Sequence, residues 1–162
     1  MTISTQKDAL LSQFAVQAYK EASFLANLAN LPGGWTMKLS DDKTPPFAAF
    51  AFQNNTTDEV VIAYRGTDGL SDGHADLAIA SGSWNPQFQQ CLDFVAKVQA
   101  DRTIFPQGTD PNTLVVTGHS LGGTIAQVVA QAYGLDGSTI DPGAAFRGTS
   151  AASTVTCAKR VT

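Results

Sequence analysis

The chain has 162 residues, 43% of them hydrophobic and 15% charged, with a formal net charge of −4. That length fits one domain with a real core, and an acidic balance without a basic cluster excludes a nucleic-acid binder. No apolar run approaches the ~18 residues of a membrane span, and two histidines with two isolated cysteines, Cys91 and Cys157, point to neither a metal site nor any other cofactor.

From Thr5 to Asn30, apolar residues recur at helical spacing: Leu10, Phe14, Ala18, Ala22 and Leu25. The pattern predicts an amphipathic helix, broken near Glu21 to Ser23, that covers one side of a sheet. Leu31-Pro32-Gly33-Gly34 ends it. Trp35 to Leu39 and Phe47 to Gln53 read as strands with a polar turn between them. Val60 to Tyr64 is continuously apolar, the mark of a strand buried on both faces. Gly69 to Gly82 is a mixed stretch rich in Gly, Ser and Asp.

Phe88 to Gln99 is an amphipathic helix with Cys91 on its apolar side, which makes Cys91 a buried thiol. Asp101 to Asn112 is a loop, Thr113 to Thr117 a strand, Leu121 to Tyr133 a helix and Ser138 to Ile140 a further strand. Strands joined by helices in this order imply an α/β fold, with a mostly parallel sheet and flanking helices. The ordered domain is expected over 1–148. Residues 149–162 are Ser/Thr/Ala-rich and then weakly basic, and read as a poorly ordered or atypical tail.

The most informative residues are Gly118-His119-Ser120-Leu121-Gly122, which join the strand to the helix. A sharp strand-to-helix turn holds its apex residue in strained geometry, and side chains on the flanking glycines would collide. Such a turn lifts the Ser120 hydroxyl clear of the sheet as a nucleophile. It also aims the Leu121 N–H, at the helix start, where an oxyanion forms. The bland alternative is a glycine-rich turn in which Ser120 caps the helix.

Val61-Ile62-Ala63-Tyr64-Arg65-Gly66-Thr67 and Val115-Val116-Thr117-Gly118-His119-Ser120-Leu121-Gly122-Gly123 together resemble the class 3, fungal-type lipases of the α/β-hydrolase fold. Asp72-Gly73-His74-Ala75-Asp76-Leu77 is similar to the segment where a lid helix lies in that family. The resemblance spans roughly 35–143, the front part of such a lipase, so the C-terminal strands are expected to be missing. It implies Ser120 as nucleophile and Thr67 and Leu121 as the oxyanion hole. It gives Arg65 a structural role, paired with a carboxylate. The activity implied is transfer of an acyl group from a carboxylic ester, such as an acylglycerol, followed by hydrolysis.

After Ser120 the sequence contains no histidine and no glutamate, and only two aspartates, Asp136 and Asp141. Asp141 ends the next strand and is the candidate acid; a turn residue before Pro142-Gly143 is the other reading. His119 is expected to pack away from the serine hydroxyl, and His74 to lie on the surface. A lipase-type serine hydrolase, weak or inactive in this chain alone, and a non-catalytic lipid- or partner-binding module on the same scaffold both stay open. The expected contacts are a lipid or small-molecule ester, a lipid interface, and self-association through an open sheet edge. With no cleavable signal visible at Met1 to Gln6, either the cytoplasm or export by a signal-less route fits.

Overall fold

The computed structural model describes residues 5–27, 29, 31–42, 48–66, 86–142 and 155–158. The first helix, α1 (Thr5–Gln17), is followed after a short break by α2 (Ala22–Leu25). The strands β1 (Trp35–Asp41), β2 (Ala49–Asn54) and β3 (Val60–Tyr64) come next. Then follow α3 (Pro86–Ala100), β4 (Leu114–His119), α4 (Leu121–Tyr133), β5 (Asp136–Ile140) and β6 (Val155–Ala158).

The six strands form one sheet in chain order. β1 to β3 pair antiparallel, whereas β3 to β6 pair parallel. The change of direction falls where the chain first places a helix between strands. Antiparallel neighbours close through short turns, and parallel ones need a crossover. The sheet and its flanking helices make the α/β fold that the sequence implies. β6 arises within the segment that the sequence marks as a tail, and pairs Gly137↔Val155 through Ile140↔Ala158 with β5.

Two cores sandwich the sheet, and β3 shows why its residues are apolar without interruption. Val60, Ile62 and Tyr64 face a cluster with Cys91, Phe94, Val98, Ile125 and Val129 of α3 and α4. Val61 and Ala63 face the opposite cluster, with Leu11, Phe14, Trp35, Phe50 and Phe52. Alternation across the pleat therefore buries every β3 side chain. Phe14 stacks on Phe52 at 4.6 Å between ring centroids and meets Trp35 edge-on at 4.9 Å.

Polar groups tie the layers together. The Tyr64 hydroxyl donates to the Cys91 carbonyl at 3.2 Å, and the Tyr133 hydroxyl to the Leu92 carbonyl at 3.0 Å. On the other face, the buried Thr117 hydroxyl lies 2.7 Å from the Ser138 carbonyl and 3.1 Å from the Leu11 carbonyl. Its single proton serves one acceptor at a time: donation to Leu11 ties β4 to α1, and donation to Ser138 ties β4 to β5. α1 stops where its backbone turns at Tyr19 and Lys20, which donate to the Val16 and Gln17 carbonyls. Lys7 and Glu59 form an ion pair that fastens the start of α1 to the sheet. Among the described residues no helix is long and apolar enough to cross a membrane.

Candidate active site

β4 carries its buried apolar residues up to Thr117, and then two small steps change the chain's direction. Ser120 has φ 55° and ψ −126°, one of three non-glycine positive-φ residues among those described. Such a conformation is strained for an L-residue and persists only where its surroundings enforce it. Here they do. The Ser120 N–H donates to the Ile140 carbonyl at 3.0 Å, so β5 holds the peptide before the apex. The Ser120 carbonyl accepts from Gly123 N–H at 2.9 Å and Thr124 N–H at 3.1 Å, which starts α4.

The glycines are steric necessities of this packing. A Cβ on Gly118 would run into the Gly122 carbonyl, and one on Gly122 would run into the Tyr64 carbonyl. Backbone atoms in a sheet cannot step aside, so neither position admits a side chain. β3, β4 and the first turn of α4 thus meet at van der Waals distance.

Ser120 occupies the N-cap position of α4, yet its side chain makes no cap hydrogen bond. The capping alternative therefore does not describe this serine. Its hydroxyl is left out of the helix's own bonding, at the helix end where the macrodipole is positive. Leu121 is the first residue of α4, and first-turn N–H groups have no partner within their helix.

The other expected residues divide into two groups. Thr67 and His74 lie outside the described residues. Gly66, directly before Thr67, packs against the elbow: a Cβ there would stand 2.7 Å from the His119 carbonyl oxygen and 3.4 Å from the Gly122 nitrogen. Asp141 follows Ile140, whose carbonyl holds Ser120, and is exposed with φ 41°. Among the described residues, Arg65 shows no ion pair with a carboxylate. Burial pushes the Cys91 thiol from 9.0 up to about 12, which makes it inert as a nucleophile at neutral pH.

His119 is held by a residue that the sequence does not single out. The Tyr19 hydroxyl stands 2.9 Å from His119 Nδ1 and 3.4 Å from the His119 carbonyl, with the two rings edge-on at 5.7 Å. Nothing local in the sequence marks this pair, since the contact spans 100 positions.

Compared with known proteins, the chain matches the model of the Tle-like phospholipase domain, described as phospholipase-like, over residues 8–157. Solved structures with a similar fold include a lipase from Rhizopus microsporus var. chinensis, with 17% identity and a TM-score of 0.55. That match covers 86% of this chain and 59% of the lipase. The mono- and diacylglycerol lipase from Aspergillus oryzae is 25% identical, with a TM-score of 0.50 over 83% of this chain and 61% of that one. The Lip2 lipase from Yarrowia lipolytica is 14% identical, with a TM-score of 0.50 over 85% of this chain and 59% of its own. This chain therefore spans about three-fifths of the length of these lipases. The resemblance to fungal-type lipases read from the motifs agrees with these neighbours. No curated protein matches the sequence.

Proposed function

The chain belongs to the Tle-like phospholipase domain family, and on that premise we propose that it is a lipase-type serine ester hydrolase with Ser120 as its nucleophile. The observation that carries the reading is the backbone of Ser120. It is held at φ 55° between β4 and α4, with its side chain excluded from capping the helix. Strain of this kind costs about 1–3 kcal/mol and is typical of functional sites.

In the proposed reaction the Ser120 Oγ attacks the carbonyl carbon of a carboxylic ester while a general base takes its proton. The tetrahedral oxyanion accepts hydrogen bonds from the Leu121 N–H and from Thr67 on the segment after Gly66. Collapse breaks the bond to the alcohol, which leaves with the proton. Water then releases the acid from the acyl-serine by the same steps. A single oxyanion donor is typically worth about 2.7–4 kcal/mol of barrier.

The substrate class proposed is a glycerolipid ester. The family description favours a phospholipid over a neutral acylglycerol. A packing role is proposed for His119, whose Nδ1 lies 2.9 Å from the Tyr19 hydroxyl. The base comes instead from outside the described residues. The exposed position and positive φ of Asp141 support the turn role for it rather than that of the acid.

The 162 residues hold no histidine after Ser120, which favours a second reading, a lipid-binding module without turnover, and one experiment separates the two. Intact-mass labelling with a fluorophosphonate ester is run on the chain and on Ser120→Ala. Stoichiometric labelling that disappears in the variant supports the hydrolase. A well-folded chain that binds phosphatidylcholine vesicles without being labelled supports the module. Release of fatty acid from those vesicles, compared with a diacylglycerol emulsion, then tests the substrate class.

A further inference from the structure

Three separate parts of the chain converge on one hydroxyl group. Tyr19 lies just past the end of α1, Gly66 just past the end of β3, and His119 at the end of β4. The Tyr19 oxygen is 2.9 Å from His119 Nδ1 and 3.4 Å from the His119 carbonyl. A Cβ built on Gly66 would stand 2.6 Å from the same oxygen. The hydroxyl therefore fills the corner between the elbow and the segment that leads to Thr67.

We propose that Tyr19 is a positioning residue for the Ser120 site: its hydroxyl holds the His119 ring and backs Gly66. It thereby fixes Gly66, just past the end of β3, against the strand-to-helix turn that carries Ser120 and the Leu121 N–H. The inference rests on the serine-hydrolase reading for its catalytic meaning, and on the contacts alone for its structural meaning.

The physical reason lies in how the end of β3 meets the turn. Ser120 and Leu121 lie where β4 passes into α4, whereas Gly66 follows β3, so no single element carries both sides of the corner. β3 and β4 are paired only as far as Tyr64↔Gly118. Beyond that pair the sheet's hydrogen bonds no longer couple the two chains, and the contacts of Gly66 and Tyr19 take over. An oxyanion hole works when its donors are in place before charge develops. A misplacement of about 1 Å costs on the order of 10²-fold in rate. Tyr19 acts through His119 and Gly66. Its ring packs edge-on against the imidazole, so removal of the hydroxyl alone leaves the packing in place.

The test is Tyr19→Phe, compared with the wild-type chain and Ser120→Ala. Two measurements run side by side: fluorophosphonate labelling kinetics, and nitrogen NMR of the His119 ring with the amide resonances of Gly66, Ser120 and Leu121. Loss of one hydrogen bond predicts a maximal labelling rate about five- to tenfold lower. Half-saturation by the probe stays the same, and the melting temperature moves little. The His119 Nδ1 resonance and the Gly66 and Leu121 amides shift. Ser120-dependent labelling at an equal rate in both proteins would overturn the proposal. So would unmoved His119 and Gly66 resonances. Absence of labelling in the wild-type chain counts against the nucleophile reading instead. In that case the resonances decide the proposal: shifts at His119, Gly66 and Leu121 support it, and their constancy overturns it.

Discussion

Replacing Ser120 by glycine should make the protein more stable while it removes the proposed nucleophile. Ser120 sits at φ 55° and ψ −126°, the mirror image of ordinary extended backbone. Glycine enters that region freely, whereas an L-residue carries strain of about 1–3 kcal/mol there. Against this relief stands the greater freedom of glycine in the unfolded chain, about 0.5–1 kcal/mol. The side chain forms no cap hydrogen bond that would be lost. The net gain expected is therefore about 1 kcal/mol at the middle of these ranges, which for a chain of this size raises the melting temperature by roughly 2–4 °C. Ser120→Ala is the control, because it removes the hydroxyl and keeps the Cβ that causes the strain. Calorimetric melting of the three proteins at one pH provides the comparison. A Ser120→Gly protein that melts at or below Ser120→Ala refutes the argument, since the elbow would then store no strain.

The opposite substitution at a neighbour should be severe. Gly122→Ala places a Cβ against the Tyr64 carbonyl oxygen and 2.8 Å from the Arg65 carbonyl carbon. Destabilisation of about 1–3 kcal/mol is expected in urea titrations, with loss of probe labelling. Phe14→Ala empties a fully buried site against Phe52 and Trp35, and should cost about 3–5 kcal/mol by the same assay. Asp141→Asn keeps a residue type that tolerates φ 41°. Labelling should stay within about twofold of wild type, and a fall of about 10⁴-fold, of the kind seen when a triad acid is lost, would reassign Asp141 as the acid. Stability should fall on the alkaline side. The Cys91 thiol ionises near 9.0 when unfolded and near about 12 when folded, so between those values the unfolded state binds fewer protons and is favoured as pH rises. Burial raises the Tyr64 phenol in the same sense, from 10.0. Urea midpoints at about pH 8 and about pH 10.5 check the fall, and Cys91→Ala should remove part of it.

The elbow is legible in the sequence because its causes are local. An apolar strand, two glycines that must pass other backbone closely, and a helix beginning at Leu121 lie within a few residues of one another. β3 is equally readable, since burial on both faces leaves no polar position in Val60–Tyr64. The break between α1 and α2 also falls close to where the periodicity fails. What depends on distant partners is not legible. The Tyr19–His119 pair joins residues 100 positions apart, and neither residue type announces the other. β6 comes from a Ser/Thr-rich segment whose strand character arises from pairing with β5 rather than from apolar alternation. The irregular register between Met37 and Leu39 in β1 likewise reflects pairing with β2 and not a local signal.

The place of α1 across β4 and β5 has a consequence for how the chain is made. Leu11 is contacted by Thr117, a residue 106 positions later. At the usual pace of about 5–20 residues per second, a ribosome takes roughly 5–20 s between the two. During that interval Leu11, Phe14 and Ala15 have no β4 to cover them. Closing so long a loop must also precede any gain from packing, which slows folding. α1 thus leaves the ribosome well before β4 and β5 can cover it, and a holdase chaperone bound to its apolar face during synthesis would protect a step exposed to aggregation.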